Sequence, residues 1–295
     1  MSDIRDILIH IGTHKTGSTS LQQLLTRASD RLFEDGILYP EAGRPDEHWP
    51  PYGHHLLAWS IQQKRGLSAR AEWNRVIDEA EKTPASLVLI SSEEFESCTR
   101  VEIQKIRSFF PQSTVRALVY LRDPVDYIIS QYKQNISTSG ETRSFRSFAE
   151  ALIDRCDYNA LVQRWEEGLG EPVIVRSFET CREGEGLEKS FLNAIGVDSQ
   201  EYETFIRQPV NISPSERQVL VTKRLNRLQS LRWMPERFLH RVRRSVLRGG
   251  WKGRVITRVV HKFLEGPLYT SEELKWLKSK ISNSVTSFKY ARCGG

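Results

Sequence analysis

The chain has 295 residues, 39% of them hydrophobic and 27% charged, with a formal net charge of +6. That balance excludes a disordered or fibrous protein and provides for one large domain, or two small ones, with a buried core. No apolar stretch reaches the roughly 18 residues a membrane span needs.

The N-terminus, Met-Ser-Asp-Ile-Arg-Asp, lacks the layout of a secretory signal, so a cytoplasmic location is expected. Cys98, Cys156, Cys181 and Cys293 stand far apart with no CxxC pair. Reduced thiols are expected, and no metal site.

Apolar runs predict strands over 6–11, 37–39, 86–91, 114–121 and 172–176, with helices in the gaps. This alternation predicts an α/β fold, a parallel sheet flanked by helices. After the first strand, Leu21, Leu24, Leu25, Ala28 and Leu32 recur at helical spacing over 18–34, and Gly36 is placed to end the helix.

Residues 40–54 carry Pro40, Pro45, Pro50, Pro51, Gly43 and Gly53 among Trp, Tyr and His, a composition that suits an active-site loop or lid. A helix over 54–64 follows. From Asn211 onward only helices are predicted, over 214–229, 235–248, 254–264 and 271–290. The expected organisation is a core over 1–210 and a basic helical C-terminal extension over 211–295 packed on it.

Positive charge is concentrated in that extension. Between Arg217 and Lys262 there are 14 Lys and Arg against one acid, Glu236. Charge this local argues against a protein that coats nucleic acid, and no specific nucleic-acid partner is expected.

Met234, Phe238, Leu239, Val242 and Val246 form an apolar stripe, while Arg237, Arg241, Arg244 and Arg248 fall on another face, with Trp233 and Trp251 near the ends. Two readings stay open for this segment. It is a surface helix docked on the core, or residues 231–264 contact a membrane surface or an acidic glycan and make the protein peripheral there.

The segment Ile-His-Ile-Gly-Thr-His-Lys-Thr-Gly-Ser-Thr-Ser-Leu, residues 9–21, is a strand, a Gly-bounded loop and a helix start. Backbone N–H groups of such a turn converge on an anion, and Lys15 adds a full charge. Gly12 and Gly17 have Walker spacing, but Ser18 stands where a Walker loop has its lysine, and no strand ends in a magnesium-binding aspartate. A nucleotide hydrolase is therefore disfavoured.

Lys15-Thr16-Gly17-Ser18-Thr19-Ser20 resembles the 5′-phosphosulfate loop of sulfotransferases that use 3′-phosphoadenosine 5′-phosphosulfate (PAPS). The run from Val119 to Tyr132, with Arg122 at a strand end and Ser130 eight residues later, resembles the 3′-phosphate motif of the same family. The resemblance spans about residues 4–132 and implies a P-loop-like core with PAPS as co-substrate and no metal requirement.

It implies that Lys15 stabilises the leaving 5′-phosphate, that the loop from His14 to Ser20 holds that phosphate, and that Arg122 and Ser130 hold the 3′-phosphate. For the base that deprotonates the acceptor it points to the end of the preceding strand, where Glu93 stands, with His54 and His55 as rivals. Arg176 or the basic segment completes the nucleotide site or binds an acidic acceptor. The expected acceptor is a hydroxyl, or an amine, of a small molecule or of a glycan or glycolipid, the glycan or glycolipid being favoured. The competing readings are a small-molecule kinase, which would bind ATP with magnesium, and a non-catalytic adaptor working through the basic tail.

Overall fold

The structure, a computed structural model, describes residues 6–46, 51–206, 214–230, 236–248, 250–261 and 266–284. In chain order, β1 (Asp6–Ile11) leads into α1 (Ser18–Arg27), α2 (Ser29–Glu34), β2 (Ile37–Leu38), α3 (His55–Ile61) and α4 (Ala69–Glu81). β3 (Leu87–Ser92) runs into a 3₁₀ turn, Glu93–Ser97, and α5 (Arg100–Ser108). β4 (Thr114–Leu121) precedes α6 (Pro124–Thr138), α7 (Phe145–Glu150) and α8 (Tyr158–Leu169). After β5 (Val173–Ser177) come α9 (Phe178–Glu183), α10 (Leu187–Ala194), α11 (Glu216–Ser230), α12 (Glu236–Arg248), α13 (Trp251–His261) and α14 (Ser271–Ser284).

The strands form one parallel sheet in the order β2-β3-β1-β4-β5, so the fold is α/β as expected. Parallel strands require crossover helices, which bury both faces. Alternation along β1 shows the result. Ile7, Ile9 and Ile11 pack with Trp73, Phe95 and Trp165 on one side, while Leu8 packs with Leu21, Leu24 and Phe191 on the other. Because β3 and β4 flank β1, the chain changes direction there, and ligands of open α/β sheets bind at the carboxyl ends of strands beside such a switch point.

The helix expected over 254–264 begins earlier, at Trp251, and two others break or stop early. The helix over 18–34 breaks at Ala28, whose ψ of 14° leaves the helical region, so that residue ends α1 and opens α2. The helix expected over 54–64 stops at Ile61, since Gln63, Arg65 and Gly66 all take positive φ. Cys98, Cys156 and Cys181 are buried and form no disulfide among the described residues, and Cys293 lies outside them.

The chain divides into two compact units: residues 6–123 with 158–206, and residues 124–157 with the helices from 214 to 284. The division therefore does not follow a single boundary at 210. The reason is hydrophobic. Tyr127, Ile128, Tyr132 and Ile136 of α6 and Phe145 and Phe148 of α7 share one buried cluster with Val219, Leu268 and Leu277. No described helix is long and apolar enough to cross a membrane.

Within the second unit, Val242 and Val246 of the expected apolar stripe pack with Val221, Leu225 and Ile256. Met234 and Trp233 lie outside the described residues.

Candidate active site

The loop between β1 and α1 is held by its own hydroxyls. Thr13 Oγ1 donates to the Tyr120 carbonyl at 2.6 Å, tying the loop to β4, and Thr16 Oγ1 donates to the Thr13 carbonyl at 2.7 Å. Lys15 takes a left-handed backbone, φ 69°, uncommon for a residue with a Cβ. Gly12 is required by close approach: a Cβ there would lie 2.6 Å from Ser18 Oγ and 3.1 Å from Glu93 Cα.

At the start of α1 the N-cap is Gly17, φ 78°, which offers no side chain to the first-turn N–H groups. The Ser20 N–H donates to the Gly17 carbonyl at 2.9 Å, but those of Ser18 and Thr19 precede the first intrahelical bond, and with the helix dipole they favour an anion in front of them. Ser18 Oγ is buried and has no hydrogen-bond partner among the described residues. An orphaned buried hydroxyl is costly unless a ligand completes it.

Positive charge comes from two adjacent strand ends. Arg122, directly after β4, donates from Nη1 to the Lys15 carbonyl at 3.0 Å and stacks its guanidinium 5.3 Å from the Phe178 ring. Burial, and then the Arg122 charge, hold the Lys15 ammonium below the usual lysine range. Glu179 at the start of α9 moderates the charge, with Oε1 3.8 Å from Arg122 Nε while accepting from Asp123 N at 3.1 Å. Tyr158 donates to the Arg122 carbonyl at 2.8 Å, fixing the strand end from α8.

On the other flank of β1, Glu93 follows β3 directly. Gln22 Nε2 donates to Glu93 Oε2 at 3.1 Å, and His55 Nδ1 lies 3.8 Å from the same oxygen and 2.8 Å from Ser92 Oγ. The carboxylate is half-buried, with 24% side-chain exposure, and so remains accessible to a substrate. Strand order thus puts Glu93, the loop and Arg122 on three neighbouring strand ends.

His54 requires a correction. It is fully buried, its Nε2 donates to the Pro40 carbonyl at 2.9 Å, and its Nδ1 accepts from Ser91 N at 3.0 Å. Burial lowers its pKa to about 3. With both ring nitrogens spent on backbone, it is an internal strut joining the 40–54 loop to β3 and is not placed to take a proton from a substrate. Glu79 accepts from Glu41 N and Ala42 N at 2.9 Å each, and Arg44 donates to the Tyr39 carbonyl, so the described start of this segment is anchored rather than a free lid.

Ser20 is also corrected. Its hydroxyl donates to Glu188 Oε1 on α10 at 2.5 Å and so serves helix contact, not the loop. Thr19 is exposed at the helix start, and the His14 backbone N–H donates to Glu96 Oε2 at 3.2 Å. Ser130 lies in α6, in the second unit. Arg176 is half-buried on β5.

Sequence reasoning missed Gln22, Glu96 and Glu179. Gln22 had a readable signal, since it follows Ser18 by four residues and so shares its helix face. Among the described residues no cluster of His, Cys, Asp and Glu could hold a metal ion.

No family model matches the chain. A stretch of 141 residues is 29% identical to an uncharacterized protein of Archaeoglobus fulgidus, covering 47% of this chain and 38% of that protein. The chain therefore spans less than two thirds of this relative's length.

Among solved structures, it is similar to a sulfotransferase from Alicyclobacillus acidocaldarius, with a TM-score of 0.46 and 19% identity over 80% of this chain and 99% of that one. It is also similar to retinol dehydratase in complex with androsterone and inactive cofactor PAP (TM-score 0.41, 12% identity, 97% of this chain and 82% of that one). A mouse sulfotransferase complexed with PAP gives a TM-score of 0.39 at 12% identity, over 95% of this chain and 84% of that one.

Proposed function

We propose that the protein is a sulfotransferase that moves a sulfuryl group from PAPS to an acceptor hydroxyl, releasing 3′-phosphoadenosine 5′-phosphate (PAP). One observation carries this reading. An uncapped helix N-terminus with an orphaned Ser18 hydroxyl and a constrained Lys15 is joined directly to Arg122 on the neighbouring strand end. A nucleotide phosphorylated at both ends matches two cationic groups so placed.

PAPS would supply an activated sulfuryl group on a good leaving phosphate. Gly17, Ser18 and the first-turn N–H groups of α1 would hold the 5′-phosphate, with Lys15 neutralising charge that grows on it as the sulfur–oxygen bond breaks. Arg122 would hold the 3′-phosphate by a two-pronged contact. Glu93 would take the acceptor proton while the acceptor oxygen bonds to sulfur. Gln22 orients its carboxylate.

For the acceptor we favour a glycan or glycolipid. The aromatic 40–54 segment returns to the sheet through His54 and His55 at the end of β3, next to Glu93. The aromatic composition of this segment suits a sugar ring. A peripheral position at a membrane would suit a lipid-linked sugar.

Calorimetric titration with PAP and, separately, ATP with magnesium tests the donor site, followed by an acceptor screen with labelled PAPS. Tight binding of PAP alone and label transfer are expected. Preference for ATP with magnesium would replace this reading with a kinase, and binding of neither with an adaptor.

A further inference from the structure

We propose that the paired helices α12 and α13 form a docking face for an anionic lipid surface. This goes beyond the sulfotransferase reading and does not depend on it. The face lies wholly within the second unit.

Its geometry begins with Gly253. A Cβ at that position would lie 2.0 Å from the Ser245 carbonyl oxygen, so only glycine lets α13 approach the α12 backbone this closely. Inward, Val242, Val246 and Ile256 pack with α11. Outward, Arg241, Arg244 and Arg248 are exposed and line an open groove of about 330 Å³ together with Trp251.

Trp251 is 67% exposed, and Val255, one turn later on the same helix face, is 53% exposed. Arg254 lies exposed between them. No ion pair involving Arg241, Arg244, Arg248 or Arg254 occurs among the described residues. Glu236 is the one acid between residues 217 and 262.

Charge selects an anionic partner, and the exposed apolar pair selects the kind. A sulfated glycan or a nucleic acid would engage the arginines but would leave Val255 in water. A bilayer interface takes both. Tryptophan settles at headgroup depth, arginine lays its alkyl stem along the acyl boundary with its guanidinium on lipid phosphate, and an aliphatic side chain enters the apolar layer.

The test is co-sedimentation of the full chain with vesicles of phosphatidylcholine alone and of phosphatidylcholine with phosphatidylserine, at low and high salt. Binding to the serine-containing vesicles only, weakened by salt, is expected. Arg241→Gln and Arg244→Gln should each weaken it about fivefold. Val255→Ser and Trp251→Ala should also weaken it, with unchanged thermal unfolding and unchanged PAP titration.

Failure to bind either vesicle overturns the proposal. So does vesicle binding that is indifferent to Val255→Ser and Trp251→Ala, and so does preferential capture by a heparin fragment or an oligonucleotide. Because PAP titration reads the Lys15 loop independently, failure here is distinct from failure of the enzymatic reading.

Discussion

Arg122 donates to the carbonyl oxygen of Lys15 at 3.0 Å, so the cationic groups of two motifs 107 residues apart are mechanically one unit. Lys15 makes this contact from a left-handed backbone, φ 69°. The Arg122 charge helps to lower the Lys15 pKa, and each group can be tested separately.

Replacing Arg122 by alanine should weaken PAP binding by about 1.5–3 kcal/mol, the range for a charge-assisted pair. Adenosine 5′-phosphosulfate, which lacks the 3′-phosphate, should lose far less. Calorimetry on both ligands decides the matter, and equal losses would reassign Arg122 to holding the loop alone. Lys would restore only part of the affinity because it lacks the planar fork.

Lys15→Ala should lower kcat more than it raises the PAP dissociation constant, since its charge matters most as the leaving phosphate develops. Burial and Arg122 lower the Lys15 pKa, so the ammonium loses its proton at a lower pH than the ordinary lysine value of 10.5. Activity should accordingly fall on the alkaline side before that value is reached. Lys15→Arg, which stays charged, should shift that limb upward in a pH–rate profile; an unmoved limb would mean that another group titrates.

Glu93→Gln should abolish turnover with PAP affinity nearly unchanged, as expected of a base that touches only the acceptor. His54→Ala should behave differently. It strands the Ser91 N–H and the Pro40 carbonyl in a buried setting, costing about 2 kcal/mol or more of stability. Urea unfolding and single-turnover transfer with labelled PAPS separate the two. Retained turnover in Glu93→Gln would move the base to His55, which shares its pocket.

Stability should fall in mild acid. Burial holds His10 at a pKa of about 4 and His54 at about 3, both below the ordinary 6.5. Below that ordinary value the unfolded chain takes up protons that the folded protein refuses. The contribution is therefore complete above 6.5 and is lost as pH falls toward the folded values, by at most about 1.4 kcal/mol per pH unit for each histidine. Denaturant midpoints from about pH 7 down to about pH 5 should decline, less steeply in His54→Gln. A flat profile would show that neither ring is held neutral.

Much of this was legible from local chemistry. The five strands, the Gly-bounded loop after the first and the arginine closing the fourth follow from apolar periodicity and from residues with few conformational alternatives. His54 shows where such reasoning stops. A histidine in an aromatic, proline-rich loop reads as a base, yet its function depends on what meets each ring nitrogen, and those partners are 14 and 37 residues away. Ser20 is the same case, its hydroxyl claimed by Glu188 from a helix 168 residues on.

Residues 124–157 make the point at larger scale. Their helical pattern was readable, but not that their apolar faces would join Val219, Leu268 and Leu277 instead of the sheet. Local residue pattern supplies the inventory: strand, loop and helix order, the anion-binding turn at Lys15 and the concentration of arginine after Arg217. Pairing emerges only in the assembled fold, where Arg122 grips the Lys15 carbonyl, Gln22 orients Glu93 and His54 is a strut. Local propensity acts over a few residues, whereas hydrogen-bond partners and buried contacts are chosen when distant segments compete for the same space.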